Sequence, residues 1–343
     1  MDRHAGGFEK VIPEGSIELL KSTRAPLTPL ACGHVPLDLD VSTLDNSDTK
    51  KEGVSYTYQG FSGYAPIAAY LGEEGWCIGM ELREGSQHGQ TGFIAFLEKT
   101  IAQARKLTSK RLLVRADSAH DAVETLVALA GQKRVDYIVK WNPRNTNQIE
   151  VRGKIFGEGS VSEPRPGKKV GVLATRQRRQ YNGKTYFFTL LLRATERTTD
   201  RTGQMLLAPS VEIEGWWTSL SNPQEAIGLY EGRGKSEQFH SEIKTDLDLE
   251  RLPSGKFATN SLVLSLGGFV YNLLRVIGQF GLLGPKSPVR HRAKRRRIRT
   301  VLQEIMYVAA RLVRTGRRLI LRFGRHCTAF DAYRQLHVRF SPA

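Results

Sequence analysis

Cysteine is scarce in this sequence, and long apolar runs are missing from it. The three cysteines among 343 residues form no CxxC pair and no Cys/His cluster, which argues against a disulfide framework or a zinc finger and favours the reducing cytoplasm. Residues 1–10 contain no apolar run of the kind that a secretory signal needs. The longest apolar stretch, 262–274, is too short and too often interrupted to span a bilayer, so we interpret it as a buried helix.

Acidic residues are almost missing from the C-terminal region. Against 51 Lys and Arg the whole chain has 34 Asp and Glu, a net charge of +17, and residues 284–343 contribute 16 basic and 2 acidic residues to it. Such a localised excess of Arg is typical of proteins that bind a polyanion, of which DNA and RNA are the commonest; an acidic membrane surface is a weaker alternative. The 40% hydrophobic and 25% charged residues exclude a wholly disordered or collagen-like chain.

Hydrophobic periodicity predicts an α/β core. Strand-like runs and helical spacing occur in the order strand, two strands joined by a hairpin, helix, strand, helix and strand, at 35–41, 64–71, 77–82, 91–107, 111–116, 121–132 and 135–141. That order is typical of a sheet with mixed strand directions. Residues 1–33 have no clear period, and we interpret them as a loosely structured lead-in.

A segment of different character interrupts this pattern. Residues 142–215 are rich in Pro, Gly, Arg and Thr, and Asn182-Gly183 predicts a hairpin turn beside a strand at 186–192, so we expect an inserted β-rich subdomain. The predicted organisation is a lead-in, a first core part, the insertion, a second core part and a basic C-terminal region: 1–33, 34–141, 142–215, 216–283 and 284–343.

Helices dominate the prediction after the insertion. The first runs from an N-cap at Asn222 to about Lys244, and the second covers 259–280. After the basic run 290–299, helical spacing of apolar residues predicts an amphipathic helix that includes Val301, Ile305, Val308 and Leu312. We therefore expect the basic C-terminal region to be helical.

Three carboxylates on separate elements are candidates for chemistry. Asp40 lies in the first predicted strand, Asp117 ends the fourth, and Glu237 lies on the helix after the insertion. Because ligands gather at the carboxyl ends of strands in open sheets with parallel strands, Asp117 is well placed to bind one. The alternative for each residue alone is that it caps a turn or a helix.

The helix that holds Glu237 presents an unusual stripe of side chains. At about 100° per residue, one face carries a phenol, a guanidinium, a carboxylate, an imidazole and an ammonium group, from Tyr230, Arg233, Glu237, His240 and Lys244. Glu242 points the opposite way, and the helix-weakening pair Gly232 and Gly234 predicts a close backbone approach to another group. A solvated helix face is the alternative interpretation.

Grouped carboxylates and cations suit chemistry on a phosphodiester. Two divalent cations need several hard oxygen ligands, and three carboxylates supply them while leaving positions for water and the scissile phosphate. Arg and Lys side chains on the same helix face would hold the neighbouring phosphates. We therefore expect Asp40, Asp117 and Glu237 to converge around a shared cation pair.

The spacing of the stripe resembles a known signature. Tyr230-x2-Arg233-x3-Glu237-x6-Lys244 matches the Y-(2)-R-(3)-E-(6)-K motif of IS4-type DDE transposases. Three longer segments resemble the IS1380 group of that family: LDLDVSTLDNSDTKKEGVSYTY at 37–58, LLVRADSAHD at 112–121 and LYEGRGKSEQFHSEIKTDLDLERLPSGKFATN at 229–260. The similarity covers the chain from about residue 30 to its end.

The resemblance implies a fold and an activity. It implies an RNase H-like core with a β-strand insertion before the last catalytic helix, and it implies cut-and-paste transposition: strand hydrolysis at the element's end, then attack of the 3′-hydroxyl on target DNA. The partners would be double-stranded DNA and, in the active complex, a second copy of the chain, without a membrane. We expect two Mg²⁺ or Mn²⁺ ions as cofactors and a bacterial, nucleoid-associated location in the cytoplasm.

The resemblance also implies residue roles. Asp40, Asp117 and Glu237 would be the catalytic, metal-binding triad. The DNA contacts near the transposon end would come from Tyr230, Arg233 and Lys244. Asp38 shares a strand face with Asp40 and stays an alternative first ligand, although the Asp-x-Ser context at Asp40 matches the family pattern better.

Further DNA contacts are expected outside the motif. His240 would contact a phosphate or water, and Trp216 and Trp217 would either stack on an unpaired base or anchor the insertion to the core. The run 290–299, which includes Arg295, Arg296 and Arg297, is expected to be a solvated linker that gains order on phosphate.

The segment before the first strand is short for the family. Relatives carry a substantial helical region there, whereas about 35 residues precede the strand here. This difference leaves two alternatives to an active transposase. One is a truncated remnant that only binds DNA, and the other is an RNase H-like nuclease of a different role.

Overall fold

A nine-stranded mixed sheet is the centre of the molecule. The computed structural model describes residues 5–144, 146–200, 202–283 and 295–341. With strands numbered along the chain, the order across the sheet is β6 (Trp76–Glu81), β5 (Ile67–Leu71), β1 (Val35–Val41), β7 (Leu112–Ala116), β8 (Val135–Lys140), β12 (Met205–Thr218), β11 (Lys184–Thr199), β10 (Lys168–Tyr181) and β9 (Ser160–Arg165).

The predicted α/β core is present in the predicted order. β1 and β7 are parallel, as are β7 and β8, whereas β1 is antiparallel to β5 and β5 to β6. Helix α2 (Phe93–Leu107) joins β6 to β7, and α3 (Val123–Ala130) joins β7 to β8. The apolar side chains of α2 recur at helical spacing and are buried against the sheet, which explains why periodicity alone located this helix.

The chain between β1 and β5 forms a small second sheet. It consists of β2 (Leu44–Asp45), β4 (Ser62–Tyr64) and β3 (Ser55–Tyr56), in that order. The strands are too short to have produced a period in the sequence. Their loops lie beside the carboxyl end of β1.

The expectation of a loosely structured lead-in is wrong for most of residues 1–33. Helix α1 (Ala5–Ser22) buries Ile17 and Leu20 in the main core. It is fastened by Asn272, whose amide donates to Ser16 Oγ at 2.7 Å and to the carbonyl of Cys77 at 2.6 Å. Three glycines and a proline within the helix hide its period, so tertiary packing rather than local propensity decides this element.

The inserted segment extends the core sheet. After α4 (Gln148–Glu158), which the sequence analysis missed, strands β9 to β12 form long antiparallel pairs, and the end of β12 pairs with β8. The predicted turn at Asn182-Gly183 is confirmed, with φ of 46° and 73° at its two residues. The β-rich character predicted for 142–215 is therefore confirmed, but its strands continue the sheet of the core.

The helical segment that carries the motif is irregular. It consists of α5 (Glu225–Glu231), a 3₁₀ turn (Gly232–Gly234), α6 (Lys235–Ser241) and a π-helical turn (Glu242–Asp246). The two glycines lie in the 3₁₀ turn, and a Cβ at Gly234 would meet nothing within 4 Å. The expectation of a close backbone approach is thus wrong at Gly234, and the glycines mark a break in the α-helix.

Helix α7 (Phe257–Gly281) packs on β6 and α1 and is the predicted buried helix. Within the described residues, it is long and apolar enough to cross a membrane by length and composition, with 56% of the apolar window buried inside the protein. A core helix of a soluble protein passes the same test, so the finding does not distinguish the two.

The C-terminal region is only partly helical. After residues 284–294, which lie outside the described ranges, come α8 (Ile298–Val301), a π turn (Leu302–Met306), the hairpin of β13 (Ala310–Thr315) and β14 (Arg318–Phe323), and α9 (Phe330–Phe340). The predicted amphipathic helix is wrong beyond Met306, because Leu312 lies in β13. Gly316-Arg317, with φ of 59° at the glycine, supplies a turn that helical spacing does not reveal.

Candidate functional site

Two carboxylates meet at the carboxyl ends of the parallel strands. In the pairing of β1 with β7, Leu39 lies opposite Ala116, so the next residues, Asp40 and Asp117, adjoin across the two strands. Neighbouring strands lie about 4.8 Å apart, and residues in register on parallel strands project to the same face. The sheet therefore holds these two side chains next to each other.

Asp38, the alternative first ligand, is already engaged. Both of its carboxylate oxygens accept hydrogen bonds from Arg115, from Nε at 2.6 Å and from Nη2 at 2.7 Å, and Asp38 is only 3% exposed. Arg115 also donates through Nη1 to the carbonyl of Leu229 at 2.5 Å. This buried pair joins β1 and β7 to α5, which is a structural role.

Asp40 is held by two residues of the motif segment. Arg233 Nη2 lies 2.8 Å from Asp40 Oδ1 and donates to the carbonyl of Leu39 at 3.0 Å. His240 Nε2 lies 3.3 Å from Asp40 Oδ2, and its other ring nitrogen lies 3.3 Å from the hydroxyl of Tyr70. The predicted stripe thus brings a guanidinium and an imidazole onto the first candidate ligand.

The two aspartates differ in their electrostatics. Burial alone would raise the pKa of Asp40, but Arg233 and His240 outweigh it and hold that pKa well below its usual range. Burial and the neighbouring charge of Asp40 raise the pKa of Asp117 to about 6. The two carboxylates are hard oxygen donors that repel each other, and a positive charge between them would relieve this repulsion. The pair therefore fits a divalent cation.

The remaining residues of the stripe lie around this pair. Tyr230 lies under Arg233, with the guanidinium carbon 5.8 Å from the ring centroid. Burial lowers the pKa of Lys244, and the charges of Glu250 and Asp40 act against that shift. Arg233 and His240 contact Asp40 directly, and Tyr230 lies against Arg233.

Glu237 is placed differently. It lies in the first turn of α6, its side chain is exposed, and it makes no hydrogen bond or ion pair with another described residue. In the ranges that the structure describes, no three Asp, Glu, His or Cys side chains converge closely enough to hold a metal ion. The structure brings Asp40 and Asp117 together and leaves Glu237 at the surface of the adjoining helix.

Two contacts fix the motif segment on the sheet. Phe239 lies on the β5–β6 turn at Gly75, where a Cβ would collide with its ring and where φ is 71°. On the opposite side of the segment, Glu242 is 1% exposed and forms ion pairs with Arg275 and Arg295. Glu242 therefore points away from Asp40, as the helical wheel predicted, and its buried charge is compensated.

Three residues near the site were not singled out from the sequence. Tyr58 is 70% exposed and donates to the carbonyl of Val41 at 3.4 Å, and partial burial together with the charges of Asp40 and Asp117 raises its pKa. Tyr70 contacts His240, and His120 lies 3.6 Å from Asp117. Tyr58 lies within the segment 37–58 that carries the family resemblance, which was the available signal.

Trp216 and Trp217 are anchors in this structure. They are 1% and 2% exposed, respectively, and Trp217 donates through Nε1 to Asp121 Oδ1 at 2.8 Å. Lys140 Nζ lies 4.1 Å from the ring centroid of Trp216. Both rings are covered by protein, so the expectation that they stack on a base is not met in this conformation.

The described part of the arginine run is attached to the protein. Arg295 pairs with Glu242 and donates to Gln238 at 2.7 Å, and Arg297 donates to Asp246 at 2.9 and 3.0 Å. Arg296 Nε donates to the carbonyl of Leu282 at 3.4 Å. The expectation of a solvated linker is therefore wrong for residues 295–299, while 290–294 lie outside the described ranges.

Comparison with known proteins identifies the family. A model of the transposase DDE domain group 1 matches residues 23–343. The chain belongs to this family of DDE transposases. No curated protein matches the sequence.

One solved structure matches part of the chain. A chain from the cryo-EM structure of the piggyBac transposase synaptic complex with hairpin DNA overlays with a TM-score of 0.40 and 11% sequence identity, covering 72% of this chain and 47% of that chain. The present chain thus spans about half the length of that solved relative.

Proposed function

We propose that the chain is an IS4-type transposase of the IS1380 group that cleaves a DNA strand and joins the resulting 3′-hydroxyl to target DNA on an RNase H-like core. The observation that carries the proposal is the adjacency of Asp40 and Asp117 beneath Arg233 and His240. The sequence motif that supplies these two basic residues also supplies Glu237 and Lys244. Membership of the DDE transposase family supports the same activity.

Asp40 and Asp117 are proposed as ligands of divalent cations, with Glu237 as the third ligand. Asp38 is set aside because Arg115 donates to both of its oxygens and its side chain is only 4% exposed, whereas the side chain of Asp40 is 15% exposed. Glu237 is exposed, and a rotation of its side chain breaks no contact with a described residue. Bound Mg²⁺ or Mn²⁺ would activate the attacking hydroxyl and stabilise the leaving oxygen.

The basic residues of the stripe are proposed to hold DNA beside these ligands. Arg233 donates through Nη2 to Asp40 and Leu39, and its positive charge is proposed to attract the phosphate beside these ligands. Lys244 supplies a point charge on the same side, and Tyr230 supports Arg233 from below. These residues position the scissile strand, which in phosphoryl transfer provides much of the rate.

The active complex is proposed to be a homodimer on double-stranded DNA of the bacterial nucleoid. This part of the proposal follows from the family resemblance. The measurement that tests it is the mass of the protein–DNA complex in solution. Two chains per pair of DNA ends support the proposal, and a mass corresponding to one chain contradicts it.

The experiment that tests the activity compares two glutamates of one helical segment. Purified protein is incubated with Mn²⁺, a labelled duplex that ends in the terminal repeat flanking its gene, and a supercoiled target plasmid. The wild type and Glu231→Gln should join the duplex to the plasmid, since Glu231 pairs with Arg193 outside the acidic site. Glu237→Gln should lower the joining activity about 10²-fold while keeping the circular dichroism spectrum of the wild type.

Other outcomes identify the competing functions. Cleavage without joining would indicate an RNase H-like nuclease. DNA binding without any metal-dependent product would indicate a remnant that only binds DNA.

A further inference from the structure

The C-terminal hairpin of β13 and β14 lies almost entirely in solvent. Ten of its twelve strand residues are exposed. A two-stranded hairpin alone is marginally stable in water, so such an element usually gains order from a partner. The composition of the hairpin indicates the chemistry of that partner.

The hairpin is rich in arginine and has no acidic residue. Five arginines lie within residues 310–323: Arg311, Arg314, Arg317, Arg318 and Arg322. All five side chains are exposed, and none of them forms an ion pair or side-chain hydrogen bond with another residue of the described ranges. In this respect they differ from Arg295 and Arg297, whose charges are neutralised by acidic residues of the motif segment.

The strand register places three of these arginines on one face. Arg311 lies directly opposite Arg322, and Thr315 lies opposite Arg318, while Val313 and Ile320 form the row between them. Cross-strand neighbours share a face, and like charges directly opposite each other destabilise a hairpin. We call this surface the cationic face, defined by Arg311, Arg318 and Arg322; an external anion would relieve its repulsion.

The other face attaches the hairpin to the protein. Phe323 lies 4.6 Å from Tyr333 and 6.1 Å from Phe330, measured between ring centroids, and both partners belong to α9 or its first turn. Leu321 and Leu319 project to the side of Phe323 and line the apolar groove between the hairpin, α7 and α9. Ile320 of the cationic face also lines this groove. The three arginines of the cationic face are exposed, and none of them is among the residues that line the groove.

We propose that the cationic face binds the phosphate backbone of duplex DNA. Its two arginine rows lie four residues apart, about 13 Å along the ribbon. The major groove is about 12 Å wide and admits a two-stranded β-ribbon, so the rows can reach phosphates on its two walls. The proposal rests on the proposed function only in naming DNA as the polyanion, and its contacts are independent of base sequence.

Binding without metal tests this surface separately from catalysis. Fluorescence anisotropy of a labelled 30-bp duplex of arbitrary sequence is measured in EDTA over a salt series. The triple variant Arg311→Gln, Arg318→Gln, Arg322→Gln should weaken binding about 10-fold or more near 0.1 M salt and lower the slope of log affinity against log salt by about 2 to 3. Lysine at the same three positions should restore the slope.

A charge-matched control removes three exposed cations elsewhere, by Lys154→Gln, Arg178→Gln and Lys184→Gln. Its slope should stay at the wild-type value. An unchanged slope in the hairpin variant, or an equal loss in the control, overturns the proposal. Loss of binding to phosphatidylglycerol vesicles with unchanged DNA affinity would also overturn it, in favour of a membrane. Failure of strand joining alone would concern the acidic site and leave this proposal standing.

Discussion

The guanidinium of Arg233 lies 2.8 Å from the carboxylate of Asp40 and neutralises it beside Asp117. Arg233→Gln leaves two adjacent carboxylates, with His240 as the remaining basic contact of Asp40. We expect the free energy of unfolding in EDTA to fall by about 1 to 3 kcal/mol. Mn²⁺ should recover part of this loss, so it should raise the melting temperature of the variant more than that of the wild type.

The control for this prediction is Arg193→Gln, which removes the ion pairs of Arg193 with Glu231, at 2.9 Å, and with Glu214. Its stabilisation by Mn²⁺ should match that of the wild type. Equal Mn²⁺ shifts for Arg233→Gln and Arg193→Gln would contradict a cation site at Asp40.

Asp117 gives a pH dependence of stability. Its pKa in the folded protein is about 6, above the ordinary value of 3.8, so the folded state holds the proton more tightly than the unfolded state. The stabilising contribution is present below pH 4 and is lost as pH rises to 6. Since the side chain is 34% exposed, solvent screening reduces the loss to about 1 to 2 kcal/mol.

Asp117→Asn removes this dependence. Without metal, the variant should become more stable than the wild type as urea unfolding is followed from pH 4 to 7, with the difference levelling off above pH 6. Two parallel stability curves would show that Asp117 titrates normally and does not share a site with Asp40.

Gly75 allows Phe239 to approach the turn between β5 and β6. A methyl group there would collide with the ring and also strain the backbone at φ 71°, whereas at Gly183, with φ 73°, nothing lies within 4 Å. Gly183→Ala should therefore cost about 1 kcal/mol of unfolding free energy from strain alone. Gly75→Ala should cost about 2 to 4 kcal/mol and weaken strand joining, because α6 carries Glu237. Equal losses would show that Phe239 does not depend on this glycine.

Trp217 tests whether the tryptophan pair is an anchor. Trp217→Phe removes the hydrogen bond to Asp121, and we expect the free energy of unfolding to fall by about 1 to 3 kcal/mol. DNA affinity should stay at the wild-type value, measured by the same anisotropy assay. A large loss of affinity with unchanged stability would instead support base stacking.

The core of the site was predictable because it depends on strand direction. Hydrophobic runs located β1 and β7, and the carboxyl ends of parallel strands bring Asp40 and Asp117 together. The stripe of Arg233 and His240 was also predictable, since helical spacing survives the 3₁₀ turn well enough to keep both residues on Asp40. The family model confirms the predicted membership of the DDE transposase family.

Other parts depend on long-range contacts that no local pattern encodes. The ion pair between Arg115 and Asp38 joins two residues that are 77 positions apart in the chain. Helix α1 depends on packing against α7, and the hairpin at residues 310–323 follows a segment whose apolar spacing also fits a helix. In each case tertiary context overrides a weak local signal.

Iron-directed cleavage of the polypeptide shows whether Asp40 and Asp117 bind one cation. Fe²⁺ with ascorbate and peroxide replaces Mg²⁺ and breaks the chain only near the bound ion. The account predicts breaks close to Asp40, close to Asp117 and within 233–240, all suppressed by Mg²⁺ and by the double substitution Asp40→Asn, Asp117→Asn. Breaks elsewhere, or breaks that persist in the double variant, would contradict a shared cation site.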